Sequence, residues 1–207
     1  IPCGECALCK SGYGALCQRG PHVGNAIPGC LDEFGHVPAG FLVKVPDSVT
    51  DSEATALQPL LTALHFVVAA GVAIGDVVAV LGQGVMGLNC LQLIRASGAG
   101  TVVGVDVRRE SLELSRQLGA DITVDATETD PVESILSASK RVGADVVFEC
   151  AGGGSQFGLA GNTTLAVATR AVRDGGRVIL VGQQEAGTGL DPLPLRRGVQ
   201  YRGHRPC

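Results

Sequence analysis

The stretch VVAVLGQGVMG, residues 77–87, combines a short apolar run with three glycines in the spacing G-x-G-x-x-G. Five apolar residues in succession, three of them β-branched valines, predict a buried strand. The apolar positions that follow, Leu88, Leu91 and Ile94, recur at helical spacing up to Gly98 and predict a helix. Strand, glycine turn and helix in this order are typical of a turn that binds the pyrophosphate of a dinucleotide.

Each glycine of this turn has a separate predicted task. Gly82 permits the sharp turn, Gly84 lets the backbone approach a pyrophosphate, and Gly87 lets the helix pack against the strand. The N–H groups at the start of the helix, at Val85 and Met86, would then face the phosphates. The alternative is a glycine turn with a purely structural purpose.

An acidic residue follows the glycine turn at the sequence spacing expected of a dinucleotide site. A second predicted strand, 101–105, ends in Asp106, nineteen residues after Gly87, where the side chain can accept both hydroxyls of a ribose. The same charge would repel a 2′-phosphate, so NAD is predicted in preference to NADP. Arg108 and Arg109 could contact an added phosphate, or could be solvated side chains that open the next helix.

After this strand–turn–helix segment and the second strand, helices and strands continue to alternate along the chain. Helices are predicted at 88–98, 109–118, 131–143 and 163–172, and further strands at 122–124, 145–149, 177–181 and 199–201. The third of these helices begins with Asp130 as N-cap, Pro131 at its first position and Glu133 as the acid of a capping box. Strands joined by helical crossovers are parallel, and ligands bind at their carboxyl ends. Residues predicted at that edge are Ala151, Gly152, Val181 and Gly182.

Four of the eight cysteines lie within fifteen residues near the start of the sequence: Cys3, Cys6, Cys9 and Cys17. The pattern C-x2-C-x2-C-x7-C predicts four thiolates around one tetrahedral Zn(II), a closed and therefore structural site. An iron–sulfur run of this type has its fourth cysteine after three residues and before proline, whereas Gln18 follows here. Disulfides or free thiols are the remaining alternative.

Composition excludes several classes of protein. A net charge of −4 with scattered Lys and Arg argues against nucleic acid as a partner. Residues 54–75 contain no charged side chain, but glycines and Pro59 interrupt them, so a buried helix followed by a turn is predicted rather than a membrane span. No signal peptide is recognisable, and cytoplasm is the expected location.

The cysteine lobe precedes the glycine turn, and three short segments lie between them: Lys44-Val45-Pro46-Asp47, Gln58-Pro59-Leu60 and Ala63-Leu64-His65. This combination resembles the medium-chain dehydrogenase/reductase superfamily, in particular its zinc-dependent alcohol and polyol dehydrogenase branch. The resemblance implies an α/β fold: a doubly wound Rossmann sheet at 58–207 that binds NAD, preceded at 1–57 by part of a GroES-like catalytic domain with the structural-zinc lobe. It also implies homodimers or homotetramers.

The activity implied is hydride transfer between NAD and a secondary alcohol or polyol, with a catalytic zinc that polarises the oxygen. The first ligands of that zinc lie upstream of the cysteine lobe in the family, so a catalytic zinc is expected only in a longer chain. Gln58 falls where polyol dehydrogenases have an acid, and Thr62 where alcohol dehydrogenases have a Cys. Gln58 is the candidate for a hydrogen bond near that zinc, or else a buried amide that caps a helix. His65 is expected to pack in the core or behind the site.

Two other functions are compatible with the sequence. One is a non-catalytic, zinc-stabilised NAD-binding remnant without a catalytic zinc, which Gln58 and Thr62 favour. The other is a zinc-independent reductase of the same superfamily, which the four-cysteine lobe disfavours.

Overall fold

The computed structural model describes residues 1–21, 23–24, 27–29, 31, 33–151, 161–182 and 196–203. The chain divides into two compact units, of which the first comprises Ile1–Leu57 and the second begins at Gln58.

The first unit has little regular structure. It contains helix α1 (Ala7–Lys10), the 3₁₀ turns Gly14–Leu16 and Ala39–Phe41, and one bridge between Val23 and Ile27. Among its described residues, Cys17 is the only buried hydrophobic side chain. Apolar burial therefore contributes little to holding this unit together.

The second unit is built on a six-stranded parallel sheet in the order β3-β2-β1-β4-β5-β6. The strands are β1 (Val77–Leu81), β2 (Thr101–Asp106), β3 (Ile122–Asp125), β4 (Ala144–Glu149), β5 (Val172–Leu180) and β6 (Gln200–Gly203). The strand order reverses between β1 and β4, and ligands bind outside the carboxyl ends of the strands at such a point. The doubly wound Rossmann sheet expected from the sequence is confirmed.

Helices cover both faces of the sheet. They are α2 (Asp51–Ala70), α3 (Val85–Ala96), α4 (Arg109–Gln117), α5 (Pro131–Ala138) and α6 (Gly161–Ala171). Side chains alternate along β1: Val78 and Val80 pack with α2 and α3, whereas Ala79 and Leu81 pack with α5 and α6. Because both faces are covered, the central strand β1 is apolar throughout.

Helix α2 is, in the described part of the chain, the one helix long and apolar enough to cross a membrane by length and composition. Its inward face, with Ala63, Phe66, Val67 and Ala70, belongs to the core of the sheet. A core helix can have the same length and apolar composition, so these two properties alone are weak evidence for a membrane span. The segment forms the predicted helix followed by a turn, but the helix is buried only along this inward face.

Arginines from the sheet cap the carboxyl end of α2. Arg177 donates from Nη1 to the carbonyls of Ala70 and Gly71, both at 2.7 Å, and from Nη2 to Asp76 at 3.2 Å. Arg202 donates to the carbonyl of Ala69 at 2.9 Å. Cations are favoured at this end because the last carbonyls of a helix have no intrahelical partner.

Helix α5 is shorter than predicted. Asp130 is the N-cap and accepts from the N–H of Val132 at 2.9 Å, but the helix ends at Ala138 instead of Gly143. The chain leaves it in a Schellman motif in which the Arg141 N–H reaches the Leu136 carbonyl at 2.6 Å. This motif places Lys140 at φ 53°. Glu133, expected as a capping-box acid, is paired with Arg141 at 2.6 Å.

Candidate cofactor site and metal centre

The turn between β1 and α3 requires glycine at two of its three positions for reasons within the chain. Gly82 has φ 90°, and a Cβ there would lie 2.8 Å from the backbone of Ala151. A Cβ at Gly87 would lie 1.8 Å from the carbonyl oxygen of Gly82. Both side chains are therefore excluded by backbone atoms that cannot move aside.

Gly84 is different. It is the N-cap of α3 with φ −83°, a conformation open to any residue, and a Cβ there would meet nothing nearer than Nη2 of Arg108 at 4.0 Å. Within the described part of the chain, no protein atom fills the space beside it. The first N–H groups of the helix, at Val85 and Met86, have no intrahelical partner. This combination of empty space and unpartnered donors fits an anionic group such as a pyrophosphate.

Asp106 ends β2 beside this turn and is buried, with 8% of its surface exposed. Its Oδ2 accepts from the N–H of Gln83 at 2.6 Å. Its Oδ1 accepts from the N–H groups of Val107 and Arg108 at 2.8 and 2.9 Å. The backbone thus holds the carboxylate in one orientation next to the glycine turn, where it retains lone pairs for a ligand's hydroxyl groups.

A buried polar pair lies under the turn. The side chain of Gln83 is 1% exposed, donates to the Val80 carbonyl at 2.7 Å and accepts from the hydroxyl of Ser115 at 3.0 Å. A Cβ at Gly104 would lie 2.4 Å from that hydroxyl. Gln83 thereby anchors the backbone N–H that holds Asp106. The sequence reasoning missed this role; the available signal was a glycine inside the apolar strand β2, which marks a close approach.

The carboxyl ends of β4 and β5 meet at Glu149, which is fully buried. Its Oε1 accepts from the Ala151 N–H at 3.0 Å and from the Thr164 hydroxyl at 2.9 Å. Its carbonyl accepts from the N–H groups of Val181 and Gly182, both at 2.9 Å. Three residues predicted at this edge, Ala151, Val181 and Gly182, therefore hydrogen-bond to Glu149, a residue that the sequence reasoning left without a role. The predicted Gly152 lies outside the described residues.

A cleft of about 280 Å³ opens beside these groups. Its walls are mostly apolar and include Leu81, Val105, Ala126, Ala151 and Val167, with Asp106 among its lining residues. An apolar cleft with a few polar groups is the usual form of a small-molecule site. A larger groove, about 950 Å³, lies over β3 between α4 and α5 but is shallow. Two of its charged side chains, Arg109 and Glu128, pair with each other at 2.9 Å.

The four cysteines of the first unit converge. Their sulfurs all lie within 4.8 Å of one another, with Cys6 3.4 Å from Cys9 and 3.9 Å from Cys17. Sulfurs bound to one zinc at about 2.3 Å form a tetrahedron with edges of about 3.8 Å. A disulfide would need a separation of about 2.05 Å. The geometry fits one tetrahedral ion.

Backbone donors prepare this cluster for a cation. The Gly20 N–H donates to the sulfur of Cys17 at 3.2 Å, and the Cys3 N–H donates to it at 3.4 Å. The hydrogen bond from Cys3 and those from neighbouring N–H groups lower the pKa of the Cys17 thiol to about 6. Desolvation and the contact with Cys6 raise the pKa of the Cys9 thiol to about 12. At neutral pH a metal-free cluster holds protons, so metal binding releases them.

Residues near the expected catalytic zinc lie on α2. Gln58 is exposed and donates from Nε2 to the hydroxyl of Thr62 at 3.1 Å, one turn along the helix. The two positions therefore hydrogen-bond to each other. His65 is exposed, so its expected packing in the core is wrong. Ala63, Phe66, Val67 and Ala70 form the inward face of α2, and position 65 lies on the opposite side.

The sequence profile of the family described as zinc-binding dehydrogenase matches residues 85–205, more than half of the chain. The chain belongs to the zinc-binding dehydrogenase family. With its relatives it falls in the zinc alcohol dehydrogenase branch of the medium-chain dehydrogenase/reductase superfamily, as the sequence resemblance indicated.

Two curated relatives illustrate the range of this dehydrogenase family. L-threonine 3-dehydrogenase of Bacillus subtilis (strain 168) is 34% identical over 152 residues, 73% of this chain and 44% of the relative. Probable D-xylulose reductase A of Aspergillus fumigatus is 32% identical over 157 residues, with the same shares of 73% and 44%. The chain spans about half the length of the curated relatives it matches.

Solved structures of dehydrogenases share the fold. Alcohol dehydrogenase TADH from Thermus sp. ATN1 has a TM-score of 0.83 at 31% identity, covering 99% of this chain and 59% of that one. A putative zinc-binding dehydrogenase from Sinorhizobium meliloti 1021, bound to NADP, has a TM-score of 0.86 at 32% identity, covering 98% and 58%. The family description names a zinc-binding dehydrogenase, and the second of these neighbours holds NADP.

Proposed function

We propose that the whole protein transfers a hydride between NAD and a secondary alcohol or polyol, interconverting alcohol and ketone. The observation that carries this proposal is the space at Gly84 beside the fixed carboxylate of Asp106. Gly82, Gly84, Val85, Met86 and Gly87 would bind the pyrophosphate, as predicted from the sequence. The bound nicotinamide would supply the hydride acceptor.

Asp106 supports NAD as the preferred cofactor. Its carboxylate lies at the end of β2, where the ribose hydroxyls of a dinucleotide are expected, and its negative charge opposes a 2′-phosphate. The apolar cleft beside it would take the adenine ring. Ala151, Val181 and Gly182 would bound the nicotinamide side of the site.

Zinc has two proposed roles. Cys3, Cys6, Cys9 and Cys17 would hold a structural Zn(II), since all four positions of a tetrahedral ion would be filled. A second, catalytic Zn(II) in the whole protein would polarise the substrate oxygen. Neither Gln58 nor Thr62 offers a charged ligand to it. Gln58 would act through a hydrogen bond at most.

The Gln58 to Thr62 hydrogen bond favours a second candidate function, a non-catalytic protein that binds NAD and is stabilised by zinc. In that case the nucleotide site would sense the cofactor without turning over an alcohol. A cytoplasmic location and a homodimeric or homotetrameric assembly belong to both proposals.

One set of measurements on the full-length protein separates these candidates. We would determine zinc per polypeptide by elemental analysis, NADH binding by calorimetry, and NAD reduction with a panel of secondary alcohols and polyols. Two zinc ions, NADH binding and reduction of NAD support the dehydrogenase. One zinc ion and NADH binding without turnover of any alcohol or of the matching ketones support the second candidate. Absence of NADH binding contradicts both.

A further inference from the structure

A buried amide and a buried hydroxyl lie directly under the glycine turn of the candidate cofactor site. Gln83 and Ser115 are 1% and 0% exposed, and the hydroxyl of Ser115 donates to Oε1 of Gln83 at 3.0 Å. Nε2 of Gln83 donates to the Val80 carbonyl at 2.7 Å. Ser115 lies on α4 and Val80 on β1, so the side chain of Gln83 connects the turn to two elements of the second unit.

Stability alone does not explain this pair. Polar groups lose their hydration on burial, and the hydrogen bonds that they form inside a protein offset only about that loss. Well-packed apolar side chains of similar size would stabilise the core at least as well. The backbone N–H that Gln83 donates to Asp106 could come from any residue except proline, so that bond does not require an amide side chain.

The chain leaves room for the pair at Gly104. A Cβ there would collide with the Ser115 hydroxyl and would lie 3.3 Å from Cδ of Gln83. Glycine weakens the interior of a strand because it has no side chain to pack, and it often marks a close approach. An amide, a hydroxyl and a glycine thus replace apolar packing at one point, and Gly104 lies two residues before Asp106.

The pair can fix the orientation of the peptide that holds Asp106. Gln83 lies between Gly82 and Gly84, and the backbone of glycine rotates more freely than that of any other residue. The Gln83 N–H donates to Oδ2 of Asp106 at 2.6 Å, whereas the backbone donors to Oδ1 belong to the two residues that follow Asp106. The bond from Gln83 therefore connects the carboxylate to the glycine turn, and the buried side chain restrains that bond.

We propose that Gln83 and Ser115 are positioning residues: they hold the N–H that orients Asp106, and so they set how strongly the site prefers ribose over deoxyribose. This inference rests on the proposed function, in which Asp106 accepts the ribose hydroxyls. Both side chains are buried, so they act on the cofactor through Asp106. A hydroxyl–carboxylate bond depends on distance and angle, and a carboxylate that can rotate loses part of it.

The test is binding of 5′-AMP, 2′-deoxy-5′-AMP and NADH to the full-length protein, measured by calorimetry, with a melting curve for every variant. The variants are S115A and the double variant Q83M/S115A. The matched control is S139A, because Ser139 is also buried and its hydroxyl donates to the Ile135 carbonyl at 2.9 Å. Ser139 lies at the end of α5, outside the lining of the cofactor cleft.

We expect the wild-type protein to bind 5′-AMP about tenfold more tightly than 2′-deoxy-5′-AMP, the effect of one hydrogen bond to a charged group. S115A should reduce this preference to about threefold or less by weakening 5′-AMP and NADH while leaving the deoxy probe within about twofold. S139A should melt at a lower temperature and keep the full preference.

The double variant keeps the test available if S115A does not fold. S115A leaves the Gln83 amide buried without its donor, whereas Q83M/S115A has apolar side chains at both positions. Because Met cannot anchor the turn through hydrogen bonds, the double variant should lose the preference for ribose as S115A does.

A tenfold preference for 5′-AMP in folded S115A or Q83M/S115A would overturn the inference. An equal loss of preference in S139A would overturn it as well, because the effect would then follow stability. If the wild-type protein binds NADH but does not distinguish the two nucleotides, the inference fails and the proposed cofactor site stands. If it binds neither NADH nor 5′-AMP, the proposed function itself fails.

Discussion

The two units of the chain are stabilised by different means. The unit that begins at Gln58 buries apolar side chains on both faces of its sheet, with Val78, Val80 and Phe148 at 0% exposure. The unit Ile1–Leu57 buries only Cys17 among its described hydrophobic residues, yet it brings four sulfurs within 4.8 Å. Burial of apolar area stabilises the unit that begins at Gln58, whereas we expect the unit Ile1–Leu57 to depend on a bound metal. A composition rich in small residues does not by itself reveal whether apolar burial or a metal stabilises a unit.

Replacing one zinc ligand tests this difference most strongly. C17S should abolish the bound zinc and unfold residues 1–57, because structural zinc supplies about 10–16 kcal/mol of apparent binding free energy in small zinc domains. Zinc analysis and limited proteolysis measure both effects. The matched variant C90A alters a cysteine that is buried in the apolar core and should retain the zinc. Full zinc retention in C17S, or protease resistance of residues 1–57 without zinc, would contradict the comparison.

The glycine turn offers a contrast inside the second unit. G87A places a Cβ 1.8 Å from a backbone oxygen and should lower the free energy of unfolding by about 3 kcal/mol or more. G84A meets no atom nearer than 4.0 Å, so its stability should stay within about 0.5 kcal/mol of wild type. The same variant should weaken NADH binding at least about tenfold, since the methyl group fills the space left for the pyrophosphate. Urea denaturation and calorimetry measure these effects; equal stabilities of the two variants would show that the turn tolerates repacking.

The capping of α2 tests how much stability polar contacts add to a unit that already has an apolar core. R177A removes three donated hydrogen bonds at a position whose side chain is 18% exposed, and should lower the free energy of unfolding by about 2 kcal/mol. R109A removes one ion pair whose side chains are 80% and 60% exposed, so it should lower the stability less than R177A does. Denaturation midpoints of the two variants would decide, and a larger loss in R109A would refute the ranking.

The smallest predicted effect is a gain. Lys140 occupies the left-handed position of the Schellman motif, where glycine carries no Cβ penalty. K140G should raise the free energy of unfolding by about 0.5–1 kcal/mol, the relief of backbone strain less the added entropy of the unfolded chain. K140A removes the same side chain without relieving the backbone and serves as control. A gain of the same size in K140A would assign the effect to the side chain.

Local patterns determined the elements that the sequence predicted well. β1 has the predicted bounds 77–81, and Asp130 caps α5 as predicted, because an apolar run, glycines and a proline mark these boundaries within a few residues. The end of α5 was missed because Lys140 and Arg141 are good helix formers and no glycine occurs before Gly143. The Schellman motif is fixed by hydrogen bonds that cannot be predicted from the composition of this segment.

Long-range contacts explain what the sequence left open in the candidate site. The cysteine cluster is local, so its spacing was sufficient to suggest a metal centre. The buried amide oxygen of Gln83 accepts from Ser115, thirty-two residues later, and Glu149 is buried among β4, β5 and α6. A polar residue at the end of a strand is equally compatible with solvent exposure. Cellular location, assembly and cofactor choice remain predictions.

The strand order has a consequence for synthesis on the ribosome. β1 lies in the middle of the sheet, and its Leu81 pairs with Glu149, sixty-eight residues later. At about 5–20 residues per second, the nascent chain presents one open edge of a wholly apolar strand for about 3–14 s before β4 has been made. An open apolar edge is a template for pairing with other chains. Slow codons between residues 82 and 149 would prolong that interval, and the yield of soluble protein should then depend more strongly on chaperones that shield nascent chains.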